Sequence, residues 1–296
     1  MKISEKIKNI LAKLPISREI IEHYHRGSTI LTTRDILIEQ LKLQILSDLK
    51  YKDTKKLNSY EQQIYSQGGE DGIIHEIFER IGTINKFFVE FGVSNGIECN
   101  SLNLLVSDWS GVWIEGDKEN SHFISQKFNS FIEKKQLIVV NDFITRENVE
   151  SLFERASVLS EPDLLSIDID GNDYWVWKAI EKYRPRVVVV EYNASLGPWA
   201  DWIMDYNPTH IWDGTSYFGV SLFSLCELGK RKGYSLVGCG LSGANAFFVR
   251  NDLLSDNFST PFTAENHFEP ARYFLIKGNG HRKDFGKFSK SNDSTS

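Results

Sequence analysis

Between Phe87 and Asn193 the chain passes through five short apolar runs, at 87–90, 111–115, 137–142, 164–169 and 187–191, and each ends in or just before an acidic or amide residue. Stretches with helical spacing separate them, at 100–106, 118–128, 145–156 and 174–182. Runs of Val, Ile, Phe and Trp suit strands buried on both faces, and their alternation with helices predicts a parallel sheet wound on both sides. A helix at 221–232 then leads to 234–238 and 244–250, joined by a Gly-rich turn too short for a crossover. Those two strands must be antiparallel. The expected fold is α/β: a doubly wound, mostly parallel seven-stranded sheet with an antiparallel C-terminal hairpin and an N-terminal helical extension.

Ligands of such sheets sit at the carboxyl ends of the strands. The strand-end residues Glu90, Glu115, Asp142, Asp170, Glu191 and Asn193 should therefore converge. In 87–96 a bulky apolar run ends in Glu90 and is followed by Gly92 and Gly96, which let the backbone turn sharply and approach a ligand. An acid there disfavours phosphate but accepts hydrogen bonds from ribose hydroxyls or an amine. The expected ligand is nucleoside-like rather than a pyrophosphate. Just upstream, Ser66 to Gly72 is polar and turn-rich. Either it lies over the ligand site, with Gln67 in contact, or Ser66 or Asp71 caps the following helix.

The 296 residues amount to one large domain or a domain with appendages. We divide them into an N-terminal helical extension (1–60), a central α/β unit (61–252) and a C-terminal segment (253–296) whose Ser/Lys/Asn-rich end reads as disordered. A net charge of −6 argues against a nucleic-acid binder, which needs a basic face. No signal peptide is recognisable, and no apolar run approaches the roughly 18 residues that span a bilayer. Cys99, Cys226 and Cys239 are odd in number and lack CxxC spacing, so they read as reduced core thiols of a cytoplasmic protein. In the extension, 2–14 and 17–24 read as helices, and a third begins near Thr33 with Ile36, Leu37, Leu41, Ile45 and Leu49 facing inward. These stripes suit packing or homo-oligomerisation better than a membrane foothold.

The order of motifs resembles class I S-adenosylmethionine-dependent methyltransferases over about 66–252, and most of all their FkbM-like branch. The motifs are Glu90-x-Gly92-x-x-x-Gly96, Glu115 closing the second strand, Asp142 after the third, and Ser166 to Asp173 (SIDIDGND) at the fourth. The resemblance implies a Rossmann-like fold, S-adenosylmethionine as cofactor and methyl transfer to hydroxyls of sugars or glycans, nucleotide-sugars included, with surface polysaccharide biosynthesis as the setting. It places Glu90, Gly92 and Gly96 around the methionyl part, Glu115 on the ribose hydroxyls and Asp142 on the adenine amine, with Gln67 and Asp168 also lining the cofactor. The sequence departs from the family at the middle glycine of the usual GxGxG, where Ser94 and Asn95 stand.

The acids of the fourth and fifth strand ends form an oxygen-rich set suited to Mg²⁺. By likeness to metal-dependent sugar O-methyltransferases, Asp170 and Glu191 would be ligands and Asn193 a weaker third. Those enzymes carry a catalytic His where this chain has Asp173, so either Asp173 is the base or the site works without metal. Asp170, Asp173, Glu191 and Asn193 are thus the catalytic candidates. His75, His210 and His267 read as surface or packing residues, and the His23-x-His25 pair lacks the further ligands of a zinc site. The segment 193–219 is longer than ordinary connections and contains Trp199, Trp202, Tyr206, Trp212, Tyr217 and Phe218 among Asp201, Asp205 and Asp213. It suits a carbohydrate-type ligand, or equally an aromatic mini-core that pins the loop. The competing readings are a non-catalytic module of the same fold and a nicotinamide oxidoreductase, which would need GxGxxG and an all-parallel sheet.

Overall fold

The computed structural model describes residues 33–276. Seven strands form one mixed sheet: β1 (Phe87–Phe91), β2 (Ser110–Glu115), β3 (Leu137–Asn141), β4 (Leu164–Ile167), β5 (Val187–Glu191), β6 (Tyr234–Cys239) and β7 (Asn245–Arg250). Their order is β3-β2-β1-β4-β5-β7-β6. The first five are parallel, and β7 runs antiparallel to both neighbours. This is the expected Rossmann-like plan of the class I methyltransferases, with its terminal hairpin. It excludes the all-parallel sheet that a nicotinamide oxidoreductase requires.

Strand alternation divides the core into two layers. Val89, Phe91, Ile114, Leu165, Val188, Val190 and Phe248 face one side, where they meet helices Val149–Arg155, Asp173–Ala179 and Leu222–Lys232. Phe88, Trp113, Leu164, Val187, Val189 and Phe247 face the other, against Glu70–Ile81, Leu102–Val106 and Lys118–Lys127. The four consecutive valines of β5 are all fully buried, as a central strand covered on both faces demands.

Several elements are shorter than their periodicity implies, and local hydrogen bonds explain why. The helix expected from Thr145 begins at Val149, because Thr145 N–H donates to Asn148 Oδ1 at 2.7 Å and closes a turn first. The helix expected to reach Lys182 ends at Ala179, where Glu150 Oε1 accepts the N–H groups of Glu181 and Lys182. Strand β4 stops at Ile167 rather than Ile169, so Asp168 and Asp170 stand on a turn and not on one strand face.

Residues 33–46 are helical, but their buried side differs from the expected stripe. Ile38 is buried and Leu41, Ile45 and Leu46 pack with it against Tyr51, Leu241 and Leu275. Ile36, Leu37 and Leu49 are 55%, 57% and 87% exposed. The expected helices at 2–14 and 17–24 and the tail from Lys287 lie outside the described residues. The segments flanking the central unit are tied into it: Leu57 is fully buried in the second core layer, and Tyr192 Oη donates to the Glu269 carbonyl at 2.6 Å.

Candidate functional site

The strand order reverses between β1 and β4, and there the sheet leaves a crevice beyond its carboxyl ends. A cavity of about 430 Å³ fills it, lined by eight of the eleven candidate residues: Gln67, Glu90, Gly92, Glu115, Asp142, Asp168, Asp170 and Glu191. Gly96, Asp173 and Asn193 are not among its walls. Among the described residues seven carboxylates line it (Glu90, Glu98, Glu115, Asp142, Asp168, Asp170 and Glu191) and no lysine or arginine does.

Glu90 is 3% exposed and its oxygens face inward. They accept from Asn100 N–H and Ser101 N–H, each at 2.9 Å, and from Ser101 Oγ and Ser166 Oγ. Burial pushes this carboxyl up, against the pull of those donors. Glu90 therefore joins β1 to β4 and to the start of the next helix, and its carboxylate is committed within the fold. At Gly92, with φ +73°, a Cβ would lie 1.6 Å from the Asp168 carbonyl oxygen. Only glycine permits this approach of the β1 and β4 ends. Gly96 lies on the core side instead: a Cβ there would meet the Trp113 ring at 2.8 Å. The missing middle glycine is answered by Ser94, which itself takes a left-handed φ of +51°, while Asn95 Oδ1 accepts from Ile97 N–H.

Glu115, 7% exposed, ends β2 at the cavity wall and accepts Asp117 N–H at 2.8 Å. Burial raises its pKa. Asp142 is more open and pairs with Arg155 at 3.0 Å. Beside it Phe143, 66% exposed, lays its ring over Gly116, where a Cβ would come within 2.5 Å. A flat apolar face beside two acid acceptors is the chemistry a purine nucleoside needs.

The turn after β4 is held by Asp173. Its two oxygens accept Ile169 N–H and Gly171 N–H, both at 2.9 Å, and the side chain is fully buried. Burial pushes its carboxyl up to about 6. Asp170 sits on this turn in the left-handed region, φ +54°, a strained conformation for a residue with a side chain. One oxygen from each of Asp168, Asp170 and Glu191 lies within 4.8 Å of the others. Burial raises Asp168 and Glu191 well above the carboxylate range, and the neighbouring carboxylates push them further. Three carboxyl groups this close share protons or surround a cation. As hard oxygen donors they fit Mg²⁺. Asn193 does not belong to this set. Its Nδ2 donates to the carbonyls of Ser216 and Phe218, and its Oδ1 accepts Ser195 N–H, so it closes the base of the 193–219 loop.

Both readings of the Ser66–Gly72 segment are partly realised. Gln67 lines the cavity, while Asp71 Oδ2 accepts the N–H groups of Ile64, Tyr65 and Ser66 and Ser66 Oγ accepts Asp71 N–H. The 193–219 loop likewise serves two ends. Trp202–Tyr217 and Trp212–Phe218 pack edge to face, and Pro208, His210, Ile211 and Trp212 also wall the cavity. Of the lining residues outside the sequence candidates, two leave a buried polar atom with no hydrogen bond among the described residues. Asn245, at the start of β7, donates to Glu70 Oε1 at 3.1 Å and leaves a buried Oδ1 without a hydrogen bond. His210, read above as a surface or packing histidine, is half-buried in the cavity wall, its Nε2 also without a partner. The hairpin pattern hid the first, and no periodicity links the second to the turn it faces.

No family model matches the sequence, and no curated protein matches it. Solved structures do match in fold. One is described as a putative caffeoyl-CoA O-methyltransferase from Staphylococcus aureus, 12% identical, covering 74% of this chain and 99% of its own, with a TM-score of 0.44. Another is magnesium protoporphyrin IX methyltransferase from Synechocystis PCC 6803 with bound SAH, 10% identical, covering 61% and 81%, with a TM-score of 0.41. A third is the N-terminal domain of EvdMO1 with SAH bound, 12% identical, covering 64% and 80%, with a TM-score of 0.40. Identities this low bear on architecture and not on what is bound or made.

Proposed function

We propose that this chain is an S-adenosylmethionine-dependent O-methyltransferase whose acceptor is a hydroxyl of a sugar, glycan or nucleotide-sugar, and that it belongs to the FkbM-like branch. The observation that carries the reading is the cavity at the β1–β4 switch point, walled by Glu115 and Asp142 and, among the described residues, free of lysine and arginine side chains. Such walls suit a nucleoside without phosphates. Glu115 would accept the two ribose hydroxyls, Asp142 the adenine amine, and Phe143 would cover the ring. S-adenosylmethionine, when bound, supplies an electrophilic methyl on a sulfonium. The remaining acids, Asp168, Asp170 and Glu191, stand together at the ends of β4 and β5, where the positive sulfonium and the acceptor would meet them.

The chain's own work is positioning, the main source of rate in a displacement of this kind. The aromatic rim at Trp212 supports a carbohydrate-type acceptor, because flat rings cover the apolar face of a pyranose while carboxylates take its hydroxyls. If a divalent cation takes part, Asp168, Asp170 and Glu191 would hold it, and it would lower the pKa of the acceptor hydroxyl. Calorimetry with S-adenosylmethionine and S-adenosylhomocysteine tests the cofactor assignment; micromolar binding is expected, and no heat with either ligand overturns it. Mass spectrometry of a panel of methyl glycosides and nucleotide-sugars incubated with the cofactor then tests the acceptor class by the gain of one methyl group.

A further inference from the structure

We infer that His210 is a catalytic residue, its Nε2 receiving the proton of the acceptor hydroxyl; the assignment rests on the methyl-transfer reading above. The geometry shows a side chain held with a ring nitrogen that no described residue satisfies. His210 is in the cavity wall, and its Nε2 is buried without a hydrogen bond. Its ring lies over Gly171, where a Cβ would come within 2.4 Å of Cδ2 and 3.0 Å of Nε2. Any other residue at 171 would push the imidazole away.

The loop is clasped to that turn at Asn172 and to the helix after it at Trp175, and it closes on itself at His210. Asn172 Nδ2 donates to the Asn207 carbonyl at 2.7 Å, His210 N–H donates to the same carbonyl at 3.0 Å, and Trp175 Nε1 donates to the Met204 carbonyl at 2.8 Å. Asn172 Oδ1 accepts Asn207 N–H in return. A half-buried imidazole on a loop held this way, with a ring nitrogen that meets no hydrogen-bond partner among the described residues, is placed to take one from a ligand, because burying an unmade hydrogen bond costs stability that packing alone does not return.

The other candidates for the base are accounted for. Both oxygens of Asp173 are taken by backbone donors. Glu191 Oε2 is buried and unpartnered like His210 Nε2, but it sits among carboxyls that favour its protonated form. The charged groups that face His210 are the carboxylates of Asp170, from the turn after β4, and Asp213, from its own loop. In the step, an oxygen lone pair of the acceptor forms the O–CH₃ bond as the C–S⁺ bond breaks, and its electron pair neutralises sulfur. The O–H proton passes to Nε2 and then to solvent.

The test uses two cofactor analogues on the intact chain. S-adenosylhomocysteine lacks the methyl, whereas sinefungin carries a protonated amine on the carbon that replaces sulfur and so projects a donor towards the base. In protein labelled with ¹⁵N-histidine, sinefungin should shift the His210 ring signals, identified by their loss in His210→Gln, and S-adenosylhomocysteine should leave them near their free positions. His210→Ala should weaken sinefungin about tenfold and S-adenosylhomocysteine less than twofold, the latter also certifying that the variant is folded. On any methyl glycoside the wild type turns over, both variants should lose roughly 10²- to 10⁴-fold in kcat. If the wild type binds sinefungin while the His210 signals stay still and His210→Ala binds it equally well, the inference is overturned and the methyltransferase reading stands. If the wild type binds neither analogue, both fall.

Discussion

Glu61 sets a pH dependence that can be worked from the structure. Its side chain is 9% exposed; Oε1 accepts Leu241 N–H at 2.5 Å and Oε2 lies 4.0 Å from Lys42 Nζ. It thus joins the 33–46 helix to the turn between β6 and β7, and its Cβ lies 3.1 Å from where Gly69 would carry one, beside the loop that bears Gln67. Burial outweighs the Leu241 and Lys42 contacts and pushes the carboxyl from 4.5 up to about 8. A carboxyl with a folded pKa above its unfolded one holds a proton in the native state that the unfolded chain has released. Its contribution is full below about pH 4.5 and is lost as pH rises through about 8. With 1.36 kcal/mol per pH unit, stability should fall by about 3 to 4 kcal/mol from about pH 5 to about pH 8 on this account. That is a large share of the roughly 5–15 kcal/mol that holds a domain together. Glu61→Gln keeps an oxygen for Leu241 N–H and cannot ionise. Urea unfolding at both pH values should show the variant losing far less stability than the wild type and exceeding it at the higher pH. Parallel slopes for the two proteins would refute the reasoning.

Other perturbations separate the roles of the site residues. Glu115→Ala should raise the S-adenosylmethionine Kd by about a hundredfold, since two hydrogen bonds to a carboxylate at about 1.5–3 kcal/mol each are removed; unchanged affinity by calorimetry would take Glu115 off the ribose. Gly92→Ala places a methyl 1.6 Å from the Asp168 carbonyl at a φ of +73°. It should cost at least about 2 kcal/mol in unfolding free energy and abolish cofactor binding, and a wild-type melting curve would contradict the packing described for the β1 and β4 ends. If Asp168, Asp170 and Glu191 hold a divalent cation, EDTA should silence turnover and Mg²⁺ restore it, whereas full activity in chelator would leave those acids to act on protons and the acceptor alone.

The fold was legible because its signals are local. The valine run of β5, the apolar run before Gly92 and the Gly-rich turn between β6 and β7 each dictate an element without reference to distant residues. Helix ends were less so, since Thr145 and Asn148 close a turn that periodicity does not register. In the site, the strand-end positions of Glu115, Asp142, Asp170 and Glu191 follow from sheet topology alone. The direction in which each side chain points does not. Asn193 stands at the expected strand end yet is used up by the carbonyls of its own loop, and Gly96 turns to Trp113. His210 reaches the cavity only because Asn207 meets Asn172, 35 positions away in sequence.

Acids at strand ends therefore fall into two groups, and the hydrogen bonds divide them. Glu90 and Asp173, with Asp71 in the first turn of the helix before β1, each accept two or more backbone N–H groups from the turn they organise. Their charge is offset inside the fold, and the turns would reopen without them. Asp168, Asp170 and Glu191 crowd together; burial raises the proton affinity of all three, and neighbouring carboxylates raise that of Asp168 and Glu191 further. Such crowding costs stability that nothing in the local turn returns, so it is these three that a ligand must satisfy. The division governs how variants are read. Loss of turnover in Asp173→Asn reports a displaced turn, because Asp170 and Gly171 move with it. The same loss in Asp170→Asn, with cofactor affinity intact, reports the chemistry itself.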